Sequence, residues 1–96
     1  MGLLSLFKRK KTPYGNAERI RRLTQHGRIT DGRIIDYDIT PQGEEIVYYV
    51  YTLNGVDFES SELLSEEQRR TPLKYAPGAK VAIRYDPKNQ GNSMLV

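Results

Sequence analysis

Two hydrophobic periods run along this chain, and they change over at Arg28. Between Asn16 and His26 apolar residues return every three positions. Ala17, Ile20 and Leu23 share one face, and Arg19, Arg22 and Gln25 lie away from it. That spacing predicts a short amphipathic helix over 17–26, packed on the body by Ile20 and Leu23. Asn16 is a good N-cap, Glu18 suits a first turn, and Gly27 stands where a helix-terminating glycine would. Thr12-Pro13-Tyr14-Gly15 reads as a hinge before it. From Arg28 the period is two. Arg28–Ile39 is rich in β-formers, with Gly32 a candidate bend or bulge. Thr40-Pro41-Gln42-Gly43 reads as a turn. Glu45–Leu53 is almost wholly β-branched or aromatic, and Asn54-Gly55 after it is a type I′ hairpin signal.

A two-residue turn fixes the register of the hairpin. Leu53 is set opposite Val56, Tyr51 opposite Phe58, and Tyr49 opposite Ser60, on one face with Val47. The other face carries Thr52 with Asp57, Val50 with Glu59, Tyr48 with Ser61, and Ile46. The first face is the core face, because Asp57 and Glu59 would be expensive to bury. Tyr48 and Val50 are then unusually apolar for an outer face, so either the helix covers them or they form a contact patch. Further on, Ser65-Glu66-Glu67-Gln68 is a capping box opening a single turn before Thr71-Pro72. Ala76-Pro77-Gly78 is a turn. Lys80–Tyr85 alternates, with Val81, Ile83 and Tyr85 inward. Asp86-Pro87-Lys88-Asn89 is a type I turn whose Asp carboxylate can accept a backbone N–H. Ser93–Val96 closes the chain as a short strand. The expectation is a mainly β domain over 16–96, with its helix at 16–27, after a tail and hinge at 1–15.

Charge divides the chain differently. Residues 1–28 hold eight Lys or Arg and one acid, a net +7, and residues 29–96 hold seven bases and eleven acids, a net −4. The total of +3 and the pI near 9.3 therefore describe a basic head on a mildly acidic body. The head begins with an apolar run, Leu3, Leu4, Leu6 and Phe7, and Lys8, Arg9, Lys10 and Lys11 follow at once. If helical, such a segment lies in the interface of an anionic membrane. Partial burial of its four large side chains contributes about 4–6 kcal/mol, and each cation near an anionic surface adds about 1 kcal/mol. Ordering the segment costs about 1 kcal/mol per residue, so the attachment is reversible and salt-sensitive. The alternatives are a solvated tail and a segment that docks on a protein. The order of apolar residues before charges does not match a secretory signal, and Leu6 stands where a myristoylation motif needs Ser or Thr. This start resembles the membrane-targeting segment of the bacterial division-site specificity factor over about eleven residues.

Catalytic chemistry is sparse. The chain has one histidine, His26, placed to meet the last carbonyls of the helix, and no cysteine. Asp36 and Asp38 point to one side of a strand but lack companions for a metal. Glu44-Glu45 and Glu66-Glu67 belong to a turn and a helix start. We expect no enzyme activity, no cofactor and no metal.

The glycine after a short helix, the Gly32-Arg33-Ile34 strand, the YYVYTLNGVDFES hairpin, the PGAKVAIRYDPKN strand and turn, and the final SMLV occur in one order. In that order they resemble an uncharacterised, mostly bacterial family of small β domains ending in Tyr-Asp-Pro-x-Asn-Pro and a short strand. Gln90 replaces the last proline of that motif here. The resemblance implies a small five-stranded antiparallel barrel-like sheet with no established activity. Many such relatives sit beside transmembrane helices, and the basic head would replace that attachment. The reading is a non-enzymatic module, cytoplasmic and peripheral at the inner face of a membrane, attached through Leu3, Leu4, Leu6, Phe7 and Lys8–Lys11. Its interaction patch, for a protein partner or a second copy, is Tyr48, Val50, Arg19 and Arg22. The alternative is a small barrel binding single-stranded nucleic acid through exposed tyrosines and Arg33, Arg69, Arg70, Lys74 and Arg84. The net negative body argues against it.

Overall fold

The computed structural model describes residues 13–96, with side chains from Ala17 onward. The membrane-binding candidates Leu3, Leu4, Leu6, Phe7, Lys8, Arg9, Lys10 and Lys11 lie outside the described residues. The helix, α1, spans Pro13–His26 and so takes in most of the expected hinge. Proline suits a first helical position, where its fixed φ is helical and its missing N–H has no partner to lose. Asn16 and Glu18 are therefore inside the helix, and Glu18 pairs with Arg21 at 2.7 Å. At the other end the Gly27 N–H continues the ladder to the Leu23 carbonyl at 2.8 Å. Gly27 is not left-handed, contrary to the expected cap. A Cβ there would stand 2.5 Å from the Leu23 carbonyl oxygen and 3.2 Å from that of Tyr85. Glycine is needed so that the helix can turn directly into the sheet.

Five antiparallel strands follow: β1 Arg28–Ile39, β2 Glu45–Leu53, β3 Val56–Leu63, β4 Lys80–Asp86 and β5 Asn89–Leu95. Their spatial order is β3-β2-β1-β4-β5, so two hairpins flank the long first strand. β1 serves both sides. Residues 28–33 pair with β4 and residues 32–39 with β2. Gly32 belongs to both ladders, opposite Tyr51 and Val81. The expected bulge is not there but at Ile35, where the register slips between Ile34 and Asp36. What Gly32 provides is close approach: a Cβ would lie 2.7 Å from Ile83 Cγ1 and 2.8 Å from the Val50 carbonyl oxygen.

The β2–β3 register is the one the turn dictates, from Leu53 opposite Val56 to Ile46 opposite Leu63. Asn54 and Gly55 have φ of 52° and 81°, the left-handed pair of a type I′ turn. Val47, Tyr49 and Tyr51 are buried and Thr52 is exposed, so the core face is as expected. In β4, Val81 and Ile83 are buried and Lys80 and Ala82 exposed. The Asp86 carboxylate accepts the Lys88 N–H at 2.8 Å, and β5 starts at Asn89, four residues before the expected strand. The Ser65–Gln68 capping box forms reciprocally, at 2.8 and 3.1 Å, and leads into two 3₁₀ turns, Gln68–Arg70 and Pro72–Tyr75. The second drops Tyr75 into the core.

Sheet curvature brings the edges of β3 and β5 together in a nearly closed barrel. Its interior holds Ile34, Val47, Tyr49, Tyr51, Val81, Ile83 and Leu95. Tyr51 is the hub of a run of rings, 6.1 Å from Tyr49, 5.4 Å from Phe58 and 6.4 Å from Tyr85 between centroids. Side chains join the two edges. A Glu62 carboxylate oxygen accepts the Leu95 N–H at 3.0 Å. Arg19 of α1 donates to the Ser93 carbonyl, covering part of the β5 edge. From inside, Tyr49 meets the Ser93 hydroxyl at 2.7 Å, and Tyr51 donates to the Gln90 carbonyl.

Candidate functional site: an apolar groove at the barrel seam

Outside this seam lies a groove of about 1030 Å³. Four parts of the chain build it. On β2 and β3 the outward pairs Tyr48–Ser61 and Ile46–Leu63 form one wall. On β5, Met94 and the following Val96 point out where Ser93 and Leu95 point in. α1 supplies Arg19 and Ile20, and the 3₁₀ turns supply Gln68, Lys74 and Tyr75. The helix packs on β4 and β5, burying Leu23, and Tyr48 stays partly exposed at the groove. Ile20, expected to pack on the body, is instead 37% exposed at the groove, and Leu63 and Val96 are each 47% exposed. Glu44, Glu62 and Glu67 stand among these apolar residues, against Arg19 and Lys74. The Lys74 ammonium lies 5.7 Å from the Tyr75 ring centre.

Of the residues singled out in the sequence, Tyr48 and Arg19 meet in this groove. Val50 shares the outer face of β2, half-buried between Arg33 and Glu59, but does not line it. Arg22 turns to a second cleft of about 720 Å³ with Glu18, His26, Asp86 and Lys88. Leu63, Met94 and Val96 were not singled out, and Ile20 was assigned to the helix–body contact. Extending the hairpin register by one pair reaches Leu63 opposite Ile46, so that residue was legible. Met94 and Val96 depend on where β5 meets β3, which no local signal encodes.

The tyrosines divide by environment. Burial pushes the Tyr49 hydroxyl up from 10.0 to about 12, and burial also raises Tyr51. Tyr37 is raised too, first by local desolvation and then by Glu45. Asp36 and Asp38 each accept the N–H of the next residue, at 2.8 Å. Among the described residues no three His, Cys, Asp or Glu are grouped to hold a metal ion, and no helix is long and apolar enough to cross a membrane.

Strand order, side-chain closure and the seam groove define a small antiparallel β-barrel domain with one N-terminal helix. Residues 25–96 match the profile of a family described as a domain of unknown function, DUF3592, and the chain belongs to that family. No curated protein and no solved structure matches the chain.

Proposed function

We propose that this chain is a non-enzymatic adaptor domain, held reversibly on an anionic membrane by residues 1–11, with the seam groove as its interaction surface. The observation that carries this reading is the division of labour along the chain. A Leu/Phe run beside four consecutive bases precedes α1, and the core among the described residues is drawn from the barrel, from Ile34 to Leu95. The head is thus chemically suited to a lipid surface. Placement at the inner, cytoplasmic face rests on the same chemistry, because that leaflet carries the anionic lipid.

The groove supports the second half of the reading. Exposed Ile20, Leu63 and Val96 with the partly buried Tyr48 along one depression are the composition of a protein contact. Nucleic acid is the weaker reading. The ring run through Tyr49, Tyr51 and Tyr85 lies inside the barrel, so Tyr49 and Tyr51 offer no stacking face, and the groove holds more acids than bases. Co-sedimentation of the full chain with anionic vesicles tests the tether. Replacing Lys8, Arg9, Lys10 and Lys11 together by Ser abolishes pelleting if the reading holds. Unchanged pelleting, or none by the native chain, contradicts it.

A further inference from the structure

We infer that the seam groove is a docking site for the chain's own N-terminal segment, residues 1–12, and that membrane and groove compete for it. Three observations on separate parts of the chain point to this occupant. The first is apolar complementarity. The groove leaves Ile20, Tyr48, Leu63, Met94 and Val96 partly in water, and Leu3, Leu4, Leu6 and Phe7 are the apolar run that precedes α1 in the sequence. Covering both removes two sets of apolar side chains from solvent at once. The second is charge. Glu44, Glu67 and Glu62, the last already holding the Leu95 N–H, outnumber Arg19 and Lys74 in the groove, and Lys8–Lys11 follow the apolar run directly. A segment that seats Leu3–Phe7 among the apolar residues carries its four cations past those carboxylates.

The third is reach and position. Residues 1–12 continue from Pro13, the first residue of the helix whose Arg19 and Ile20 form one wall of the groove. Twelve residues span up to about 40 Å when extended, and the longest axis of the domain is 34 Å. The groove is therefore within reach of the segment, and the short covalent link gives an effective concentration on the order of millimolar. Even weak docking is then substantially populated.

Leu3–Phe7 cannot be in lipid and in the groove together. The competition rests on the membrane reading above; the docking does not. Membrane binding draws the head out and leaves the groove open to a partner, and a groove that holds the head lowers the apparent membrane affinity by the fraction of free head. Attachment and groove access become one equilibrium.

The full chain contains no cysteine, so Leu3→Cys accepts a single nitroxide label. In the ¹⁵N-labelled protein, the label broadens the amides of Leu63, Met94 and Val96 and spares those of Gly55 and Lys88. Small anionic bicelles restore the groove signals. Broadening that is uniform, or that appears only between a labelled and an unlabelled chain, overturns the proposal, the second outcome naming a second copy as occupant. In a second arm, Leu63→Gln, which adds no charge, in the full chain raises vesicle affinity at least threefold without moving the melting temperature. An unchanged affinity overturns the competition. Groove broadening without vesicle binding by any variant leaves the docking standing and removes the membrane tether. Vesicle binding without groove broadening does the reverse.

Discussion

The Tyr49 hydroxyl meets the Ser93 hydroxyl 2.7 Å away across the inside of the barrel, joining β2 to β5, two strands that are not neighbours in the sheet. Ser93 is 3% exposed and its carbonyl also receives Arg19. One residue of the last strand thus fastens both the barrel wall and the helix. A Tyr–Ser pair suits this place because the ring fills the core and the hydroxyl finds a partner in it.

Tyr49→Phe removes that bond and strands a buried hydroxyl, which costs about 1–3 kcal/mol. The pH dependence has a definite sign. The folded Tyr49 hydroxyl is raised from 10.0 to about 12, so the neutral form is favoured in the fold. Its contribution is complete below about pH 10 and is lost as pH rises towards about 12, where the unfolded chain ionises first, at up to about 1.4 kcal/mol per pH unit. Urea unfolding at about pH 9 and about pH 11 shows a smaller alkaline loss in Tyr49→Phe than in the native chain.

Gly32→Ala destabilises the protein by more than about 2 kcal/mol, because the added methyl meets both the Ile83 side chain and the Val50 carbonyl, and the backbone of a strand paired on both sides cannot easily move aside. Gly91→Ala is the control: its Cβ would find only Phe58 Cδ1, at 3.9 Å, an ordinary contact. Denaturation midpoints of the two variants separate close approach from a general effect of losing glycine.

Much of this architecture was legible in the sequence, for reasons that also explain what was not. Asn54-Gly55 sets one pairing, and period two carries it from Leu53–Val56 to Ile46–Leu63 without further information. The Asp86-Pro87 turn is equally local. The bulge at Ile35 lies in an unbroken β-forming run, and the sequence marked Gly32 instead. The helix start was missed because Pro13 and Gly15 punctuate both hinges and first turns. Of the groove, Tyr48 and Arg19 were legible. Met94 and Val96 were not, because β3 and β5 meet through long-range closure.

Glu62→Ala deletes the acceptor that holds the Leu95 N–H at the seam, and Glu62→Gln keeps an acceptor in the same place. The alanine variant loses about 1–3 kcal/mol. Its Leu95 amide exchanges with solvent faster than that of Ile83, deep in the sheet. Native-state hydrogen exchange reads both sites, and the glutamine variant lies near the native chain.

Tyr51→Ala empties the hub of the ring run and costs about 3–5 kcal/mol. Tyr48→Ala, on the outward face of the same strand, costs less than Tyr51→Ala because its ring is only partly buried, at the groove. Denaturant unfolding of the two variants measures the difference between core and groove directly.

The membrane tether is tested most directly by vesicle binding of the full chain as salt and lipid charge are varied. A tether of this kind gives binding to anionic vesicles that weakens steeply between about 0.05 and about 0.5 M salt, where screening shortens from about 14 Å to about 4 Å. It also gives little binding to neutral vesicles, and loss of binding with no change in melting temperature when Lys8, Arg9, Lys10 and Lys11 are replaced by Ser. Equal binding to neutral and anionic vesicles, or undiminished binding by the substituted chain, contradicts it.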